Sequence, residues 1–323
     1  MVTPDNTIVT IGDVNYLWGI FLLVASARKA GMEEPFLVGI KDFTPEAERI
    51  LTQLGNISFV SLDGAERSLT CYKPHVMLQA KTEFVTWADS DAFFTGNVST
   101  LLKPTNPEEI HARLRSKAEM MTGRPETYSL QGKCMIPERL LEAWRNDLAE
   151  IMDNVLEAPA NDTTVSACFC ALSQVRHHSF LEAWDRLAMQ VLPPRNVGVV
   201  DRSLQFYPQL DESTLNACLN FLPDAPKVQP VFQMDKEREH LFVHFSTLPK
   251  PWEGWTRRAF RFFDEYVGIV EWAASQGYEL PGTIPFCLKK SNKAMIRLLT
   301  PWMQLKPKLT KRLKGLFCRR PFA

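Results

Sequence analysis

Phe84-Val85-Thr86-Trp87-Ala88-Asp89-Ser90-Asp91-Ala92-Phe93-Phe94 is a short apolar run, rich in β-favouring side chains, that delivers two carboxylates one residue apart. A run of this length bounded by charge predicts a buried strand of a mostly parallel sheet. Side chains alternate with period two in extended backbone, so Asp89 and Asp91 point to the same side. Ligands of open α/β sheets gather at the carboxyl ends of strands. Two hard oxygen donors placed there suit Mg²⁺ or Mn²⁺, which take carboxylates together with substrate phosphates.

The residues before this run predict alternating strands and helices. Thr7 to Ile11 reads as a strand, and a helix from Leu17 to Lys29 follows, closed by Gly31. Phe36 to Ile40 is a second strand, and Thr44-Pro45-Glu46 supplies an N-cap, an N1 proline and a first-turn acid. Ile57 to Leu62 is a third strand, completing the opening of a doubly wound sheet. Lys73-Pro74 then opens a helix that runs into the Asp89 strand. Beyond it, residues 103–136 read as an irregular loop, and Pro137 to Leu156 as an amphipathic helix. Val165 to Leu172 reads as a strand whose Cys168 and Cys170 are buried, followed by a helix from Phe180 to Val191. His177 and His178, beside Arg176, read as surface residues, and Asp211-Glu212 as N-cap residues of a short helix. A strand from His240 to Phe245 precedes a long helix, Arg257 to Gln276, with Phe260, Phe263, Val267 and Val270 towards the core.

A length of 323 residues suits one large α/β domain, and 45% hydrophobic content is that of an ordinary globular chain. Seven cysteines form no C-x-x-C pair, an odd count that fits reduced cytosolic thiols. The apolar run Tyr16 to Ala27 is too short to span a bilayer, and neither a signal peptide nor a transmembrane helix is expected. A net charge of zero conceals an asymmetry. From Leu288 onward there are 11 Lys or Arg and no Asp or Glu, leaving 26 basic against 37 acidic residues in the remainder, a net of −11. Leu309, Leu313, Leu316 and Phe317 share one helical face among Lys308, Lys311, Arg312 and Arg319, with Trp302 and Phe322 as interfacial aromatics. Such a segment lies on anionic lipid. The expected organisation is a body over 1–286 and a basic amphipathic tail over 287–323 that attaches through residues 289–320 to the cytoplasmic face of a membrane. No nucleic-acid motif accompanies the tail, and no nucleic-acid partner is expected.

Four separated pieces carry a resemblance: Asp13-Val14-Asn15-Tyr16, Lys73, Asp89-Ser90-Asp91, and His244 followed by Lys250-Pro251-Trp252. Their order resembles the family 8 glycosyltransferases, which include glycogenin and bacterial lipooligosaccharide galactosyltransferases. The resemblance implies a GT-A-type nucleotide-sugar-binding domain, α/β with a mostly parallel central sheet flanked by helices. It implies that Asp89, Asp91 and His244 bind Mn²⁺ (or Mg²⁺), and that Asp13, Asn15, Tyr16, Lys73, Ser90 and Lys250 hold the UDP-sugar. Asp211 and Glu212 stand where the family has an Asp-Gln pair close to the reacting sugar. The sequence departs from the family at Glu212, at Thr247, where glycine is usual, and at Ser166-Ala167-Cys168, where an Asn-x-Gly turn is usual.

The chemistry agrees with the resemblance. Breaking a sugar–diphosphate bond leaves negative charge on the departing phosphate, which a divalent cation and an ammonium group stabilise as it grows. An imidazole among the ligands favours Mn²⁺ over harder ions. The expectation is a hexosyltransferase acting on a glycan or glycolipid acceptor of the lipopolysaccharide or capsule type, with retention of configuration. Two other readings remain open at the level of sequence: a catalytically degenerate nucleotide- or glycan-binding scaffold at the membrane, and a haloacid-dehalogenase-like phosphatase, which also opens on strand-Asp-x-Asp.

Overall fold

The structure is a computed structural model and describes residues 5–114, 136, 138–160, 164–196, 203–232 and 241–317, the last segment with side chains as far as 305. Strand β1 (Asn6–Asp13), helix α1 (Leu17–Lys29), β2 (Phe36–Lys41), α2 (Pro45–Thr52) and β3 (Ile57–Ser61) follow one another in the predicted alternation. Thr44 caps α2 through its side chain, which accepts from the Ala47 N–H, and Pro45 occupies the first turn. Helix α3 (Lys73–Met77) leads to β4 (Phe84–Ala88), which pairs with the free side of β1. Strands β6 (Glu109–Leu114), β7 (Val165–Ser173) and β8 (Lys227–Phe232) complete a sheet of order β3-β2-β1-β4-β7-β6-β8. Pairings are parallel except the two made by β7.

Both faces of this sheet are covered, which is why its central strands are apolar without alternation. Helix α1 and helix α7 (Phe263–Ser275) lie on one face, and α3, α4 (Glu138–Ala149), α5 (His178–Val191) and α6 (Asp211–Phe221) on the other. The apolar run Tyr16 to Ala27 is thereby explained: residues 19–27 of α1 are all buried between the sheet and α7. A second, two-stranded sheet joins β5 (Ala92–Phe94) to β9 (Phe242–His244) in antiparallel pairing. Phe93 anchors it, stacking on Phe245 and meeting Tyr266 edge-on, with ring centroids 5.6 and 5.1 Å apart. The chain ends in a long helix, α8 (Lys293–Phe317).

Several expectations are corrected. Residues 103–136 are not a loop throughout, because β6 lies within them and is held on both sides by β7 and β8; residues 115–135 lie outside the described residues. Strand β8 has no counterpart in the sequence reading. His177 is buried, its Nε2 lying 2.9 Å from the Pro107 carbonyl oxygen, whereas His178 is exposed. The helix expected from Arg257 begins with a 3₁₀ turn, Ala259–Phe262, before α7. Phe263, Val267 and Val270 face the core as expected, and Phe260 packs on its edge.

Candidate active site

The sheet changes direction between β1 and β4. Strands β2 and β3 build outward on one side of that seam, and β7, β6 and β8 on the other. The carboxyl ends of β1 and β4 therefore open into the crevice where open α/β sheets bind ligands. Asp13 ends β1, and Asp89 follows β4. The Asp89 N–H donates to the Cys168 carbonyl (3.0 Å), and the Ala92 N–H donates back to the Asp89 carbonyl (3.0 Å). This turn hands the chain from the large sheet to the small one. There Ala92 pairs with His244, and the Phe245 N–H donates to the Asp91 carbonyl (2.9 Å). Two backbone ladders thus bring a late histidine against the two carboxylates. Gly19 of α1 presses on the same turn: a Cβ there would lie 2.4 Å from the Ser90 carbonyl oxygen and 2.6 Å from Trp252.

Each carboxylate divides its two oxygens. Asp89 Oδ2 and Asp91 Oδ1 face His244 Nε2 at 3.3 and 3.1 Å. Asp89 Oδ1 accepts from Lys73 Nζ and from Trp87 Nε1, both at 2.7 Å, and Asp91 Oδ2 accepts from Lys250 Nζ. One donor atom from each of Asp89, Asp91 and His244 lies within 4.8 Å of the others. Adjacent corners of an octahedron with bonds of about 2.1 Å lie about 3 Å apart, so the spacing and the O, O, N donor set fit a divalent cation.

Lys73, almost wholly buried, bridges Asp89 to Asp211 Oδ2 (2.8 Å) and donates to the Ala167 carbonyl (2.8 Å). Asp211 reaches it because Leu210, at φ 46°, reverses the chain just before α6. Asp211 is thus the first helical residue rather than the cap expected from the sequence, since Leu210 occupies that position. Asn216 clamps α6 to β7, accepting from the Val165 N–H (2.9 Å) and donating to the Val165 carbonyl (3.0 Å). One turn earlier, Glu212 Oε2 accepts from the Ala167 N–H at 3.4 Å.

Burial and charge act against each other at these groups. Burial lowers the His244 pKa, but the Asp91 carboxylate outweighs it and pushes the imidazole up to about 10. Burial raises Asp91, and Lys250 with His244 outweigh it, holding the carboxyl well below the usual range. Burial also lowers Lys73, yet Asp211 and Asp89 keep it charged. One ammonium between two carboxylates leaves one of them short of a partner. Asp211 bears the consequence: burial pushes it up to about 6 despite Lys73, and Asp89 adds to the rise.

These side chains line one cavity of about 370 Å³. Asp13, Tyr16, Lys73, Asp89, Ser90, Asp91, Asp211, Glu212, His244 and Lys250 all reach it. Asn15 is exposed and is not part of the lining; its N–H is the partner of Asp13 Oδ1 (3.0 Å), so Asp13 also serves as an Asx-type cap. Tyr16 packs edge-on against Trp252, ring centroids 5.5 Å apart. Sequence reasoning missed Arg113, Cys168 and Trp87 in the wall. Trp87 was findable, since it precedes Asp89 by two and shares its side of the strand. Arg113 belongs to the unexpected β6, and its Nη1 lies 3.6 Å from Cys168 Sγ. With His244 neutral, as a metal ligand must be, five acids against Lys73, Arg113 and Lys250 line the cavity, so a divalent cation would balance its charge.

No protein-family profile matches the sequence, and no curated protein matches it. Solved structures do. The WbbM bifunctional glycosyltransferase in its apo form aligns over 92% of this chain with 13% identity and a TM-score of 0.55, this chain spanning about half (53%) of the WbbM chain. The galactosyltransferase LgtC, in complex with donor and acceptor sugar analogues, aligns over 89% of this chain and 99% of its own, with 14% identity and a TM-score of 0.50. The glycosyltransferase GlyE of Streptococcus pneumoniae TIGR4 aligns over 87% of this chain and 66% of its own, with 13% identity and a TM-score of 0.51. At such identities the likeness speaks for the fold, and the fold is that of the GT-A-type glycosyltransferases.

Proposed function

We propose that the chain is a metal-dependent glycosyltransferase that moves a hexose from a UDP-sugar to a glycan or glycolipid acceptor, with retention of configuration. The observation that carries this reading is the Asp89–Asp91–His244 cluster, each carboxylate held by a lysine through the oxygen that the imidazole does not face. Asp89, Asp91 and His244 would hold Mn²⁺ (or Mg²⁺), which when bound supplies Lewis-acid stabilisation to a departing diphosphate. Tyr16 and Asp13 form the wall that would meet the uridine, and Lys250 would neutralise the phosphate charge. Asp211 and Glu212 would stand beside the transferred sugar, with residues of 103–136 contributing to the acceptor side. LgtC, with its donor and acceptor sugar analogues, is consistent with this use of the fold. The basic segment 289–320 fits attachment to the anionic inner face of a membrane, with the catalytic body over 1–286. Among the described residues no helix is long and apolar enough to cross one.

Calorimetric titration of UDP, GDP and CMP, with and without Mn²⁺, tests the reading. UDP should bind in a Mn²⁺-dependent way, and Asp91→Asn should abolish that binding. Failure of every nucleotide to bind under any condition would overturn it and favour the scaffold. A related departure has been built into LgtC, where an active-site Gln→Glu mutant has been crystallised. Glu212 therefore motivates a turnover assay, and UDP-sugar turnover lost in Asp91→Asn would eliminate the scaffold reading.

A further inference from the structure

A second, smaller cavity of about 50 Å³ opens beside the first and shares three wall residues with it, Arg113, His244 and Ser246. Its charge is the reverse of its neighbour's. Arg113, Arg258 and Arg261 line it, and among the described residues no Asp or Glu does. The local structure explains the convergence. Arg258 occupies the N-cap position of the 3₁₀ turn Ala259–Phe262, and side chains three apart in such a turn eclipse, so Arg258 and Arg261 fall on one side. Thr256 fixes the turn, its Oγ1 accepting from the Ala259 N–H (3.0 Å) and its carbonyl from the Phe260 N–H (2.9 Å). Arg261 Cζ lies 4.6 Å from the centroid of the Phe262 ring, which holds the guanidinium against the wall. Arg113 arrives from a different element, buried on β6.

We propose that this smaller cavity is an oxyanion subsite for the acceptor, taking a phosphate or a carboxylate carried by the glycan that receives the sugar. Guanidinium groups match both anions through paired N–H donors. Arg113 and Arg258 also have other partners, but each guanidinium carries five N–H donors, and one contact does not exhaust them. The exposed residues Ser246 and Thr247 add hydroxyl donors to the lining. A volume of about 50 Å³ suits a group of a few heavy atoms rather than a whole sugar ring.

The assignment to the acceptor rests on the transferase reading. On that reading the donor's charges are met in the larger cavity, by a cation on Asp89, Asp91 and His244 and by Lys250. Asp89, Asp91 and Lys250 line that cavity and not the smaller one, and the same holds for Asp13 and Tyr16 of the uridine wall. The arginines are therefore left for an anion that the diphosphate does not supply. Because His244 and Ser246 stand in both walls, a glycan with its reacting hydroxyl in the larger cavity can set a neighbouring oxyanion in the smaller one. A body of net charge −11 would otherwise repel an anionic acceptor, and the arginines offset that repulsion where the acceptor enters.

The test uses the full chain and Arg258→Gln combined with Arg261→Gln. Both side chains are exposed and lie outside the larger cavity, so the variant should melt as wild type does and bind UDP with Mn²⁺ equally well. In the first arm, inorganic phosphate titrated with Mg²⁺ and UDP present should bind wild type at least about tenfold more tightly than the variant. Equal phosphate affinity in the two proteins would overturn the subsite. The second arm names the source of the anion by comparing glucose, glucose 6-phosphate and glucuronate on protein loaded with Mn²⁺ and UDP. Tighter binding of the phosphate ester, lost in the variant, assigns a phosphorylated glycan, and the same result with the uronate assigns an acidic one. Equal behaviour of all three would overturn the acceptor assignment. So would a preference for UDP-glucuronic acid over UDP-glucose that the variant loses, because the anion would then belong to the donor. Absence of Mn²⁺-dependent UDP binding in wild type would sink the transferase reading, while the phosphate arm still decides the oxyanion site.

Discussion

Lys73→Met keeps most of the aliphatic stem and removes the ammonium that three acceptors surround. Breaking a buried ion pair from one side costs about 3–5 kcal/mol, because the abandoned charge stays buried. Two carboxylates are abandoned here, but unequally. Asp89 retains the Trp87 N–H at 2.7 Å and is about a fifth exposed, so solvent screens its share. Asp211 is buried beside Glu212 and already pushed up to about 6. The expected loss therefore stays near a single pair, about 4 kcal/mol, which moves a urea midpoint down by about 1.3 M if the slope is about 3 kcal/mol/M. Adding Asp211→Asn should recover a good part of the loss, since the orphaned charge goes with it. The sign with pH follows from linkage: a carboxyl whose folded pKa is raised contributes stability at low pH that is lost as pH rises through the folded value. Without Lys73 the Asp211 pKa rises further, so the deficit of the variant should shrink from pH 7 to pH 5. Equilibrium urea unfolding of wild type, the single and the double variant at both pH values measures all of this. A midpoint within ~0.3 M of wild type, or a double variant no better than the single, would show that Lys73 does not hold the two carboxylates in the folded protein.

Two further substitutions probe the carboxylate turn. His244 must be neutral to ligate, and Asp91 pushes its pKa up to about 10, so each Mn²⁺ bound below that pH should displace one proton. Mn²⁺ affinity should rise about tenfold per pH unit from 6.5 to 8.5, and His244→Gln should flatten the slope; titration in two buffers of different ionisation enthalpy would detect no released proton if the assignment is wrong. By the same linkage, the raised pKa of His244 stabilises the metal-free fold at and below pH 6.5, and that contribution fades as pH climbs towards 10. Gly19→Ala places a methyl group 2.4 Å from the Ser90 carbonyl oxygen, a backbone atom that yields only if the turn moves. A loss of about 1–3 kcal/mol and weaker Mn²⁺ binding are expected together, and a variant that melts and titrates as wild type does would contradict that contact.

The outline of the fold was legible because its signals are local. Thr44 and Pro45 start α2 where they should; Asp89 and Asp91 both reach the cavity, but through the turn Asp89–Ala92 beyond the end of β4 rather than by the alternation of an extended strand. What escaped depends on pairing across long sequence separations. Nothing local marks Ala92 as the partner of His244; only the family motif around Lys250-Pro251-Trp252 drew attention to that histidine. Strand β6, Glu-Ile-His-Ala-Arg-Leu, carries charge at two of six positions with a histidine between them, and lies between prolines and a polar stretch. It becomes a strand because β7 and β8 hold it on both edges, and Arg113 reaches the cavity only through that tertiary context. Asp211 looked like a helix cap because its neighbours favour one; the left-handed turn at Leu210 that aims it at Lys73 has no signature in leucine.

The two lysines of the site were read from the sequence as two donor-site contacts, and their partners now separate them. An ammonium group has three N–H donors. Those of Lys73 meet Asp89, Asp211 and the Ala167 carbonyl, so its charge is committed to protein acceptors on three sides. Lys250 meets Asp91 and the Phe245 carbonyl, which among the described residues leaves one donor for the cavity that it lines. A diphosphate arriving at Asp91 can therefore recruit Lys250 by adding an acceptor, whereas recruiting Lys73 would strand a buried carboxylate. On the proposed function, this geometry would make Lys73 the residue that positions Asp89 and Lys250 the one that meets the phosphate. Lys250→Met should accordingly weaken UDP binding at least about tenfold while sparing the fold more than Lys73→Met does, since Asp91 keeps His244 at 3.1 Å. Equal urea midpoints for the two variants, with UDP affinity unchanged in Lys250→Met, would reverse that division of labour.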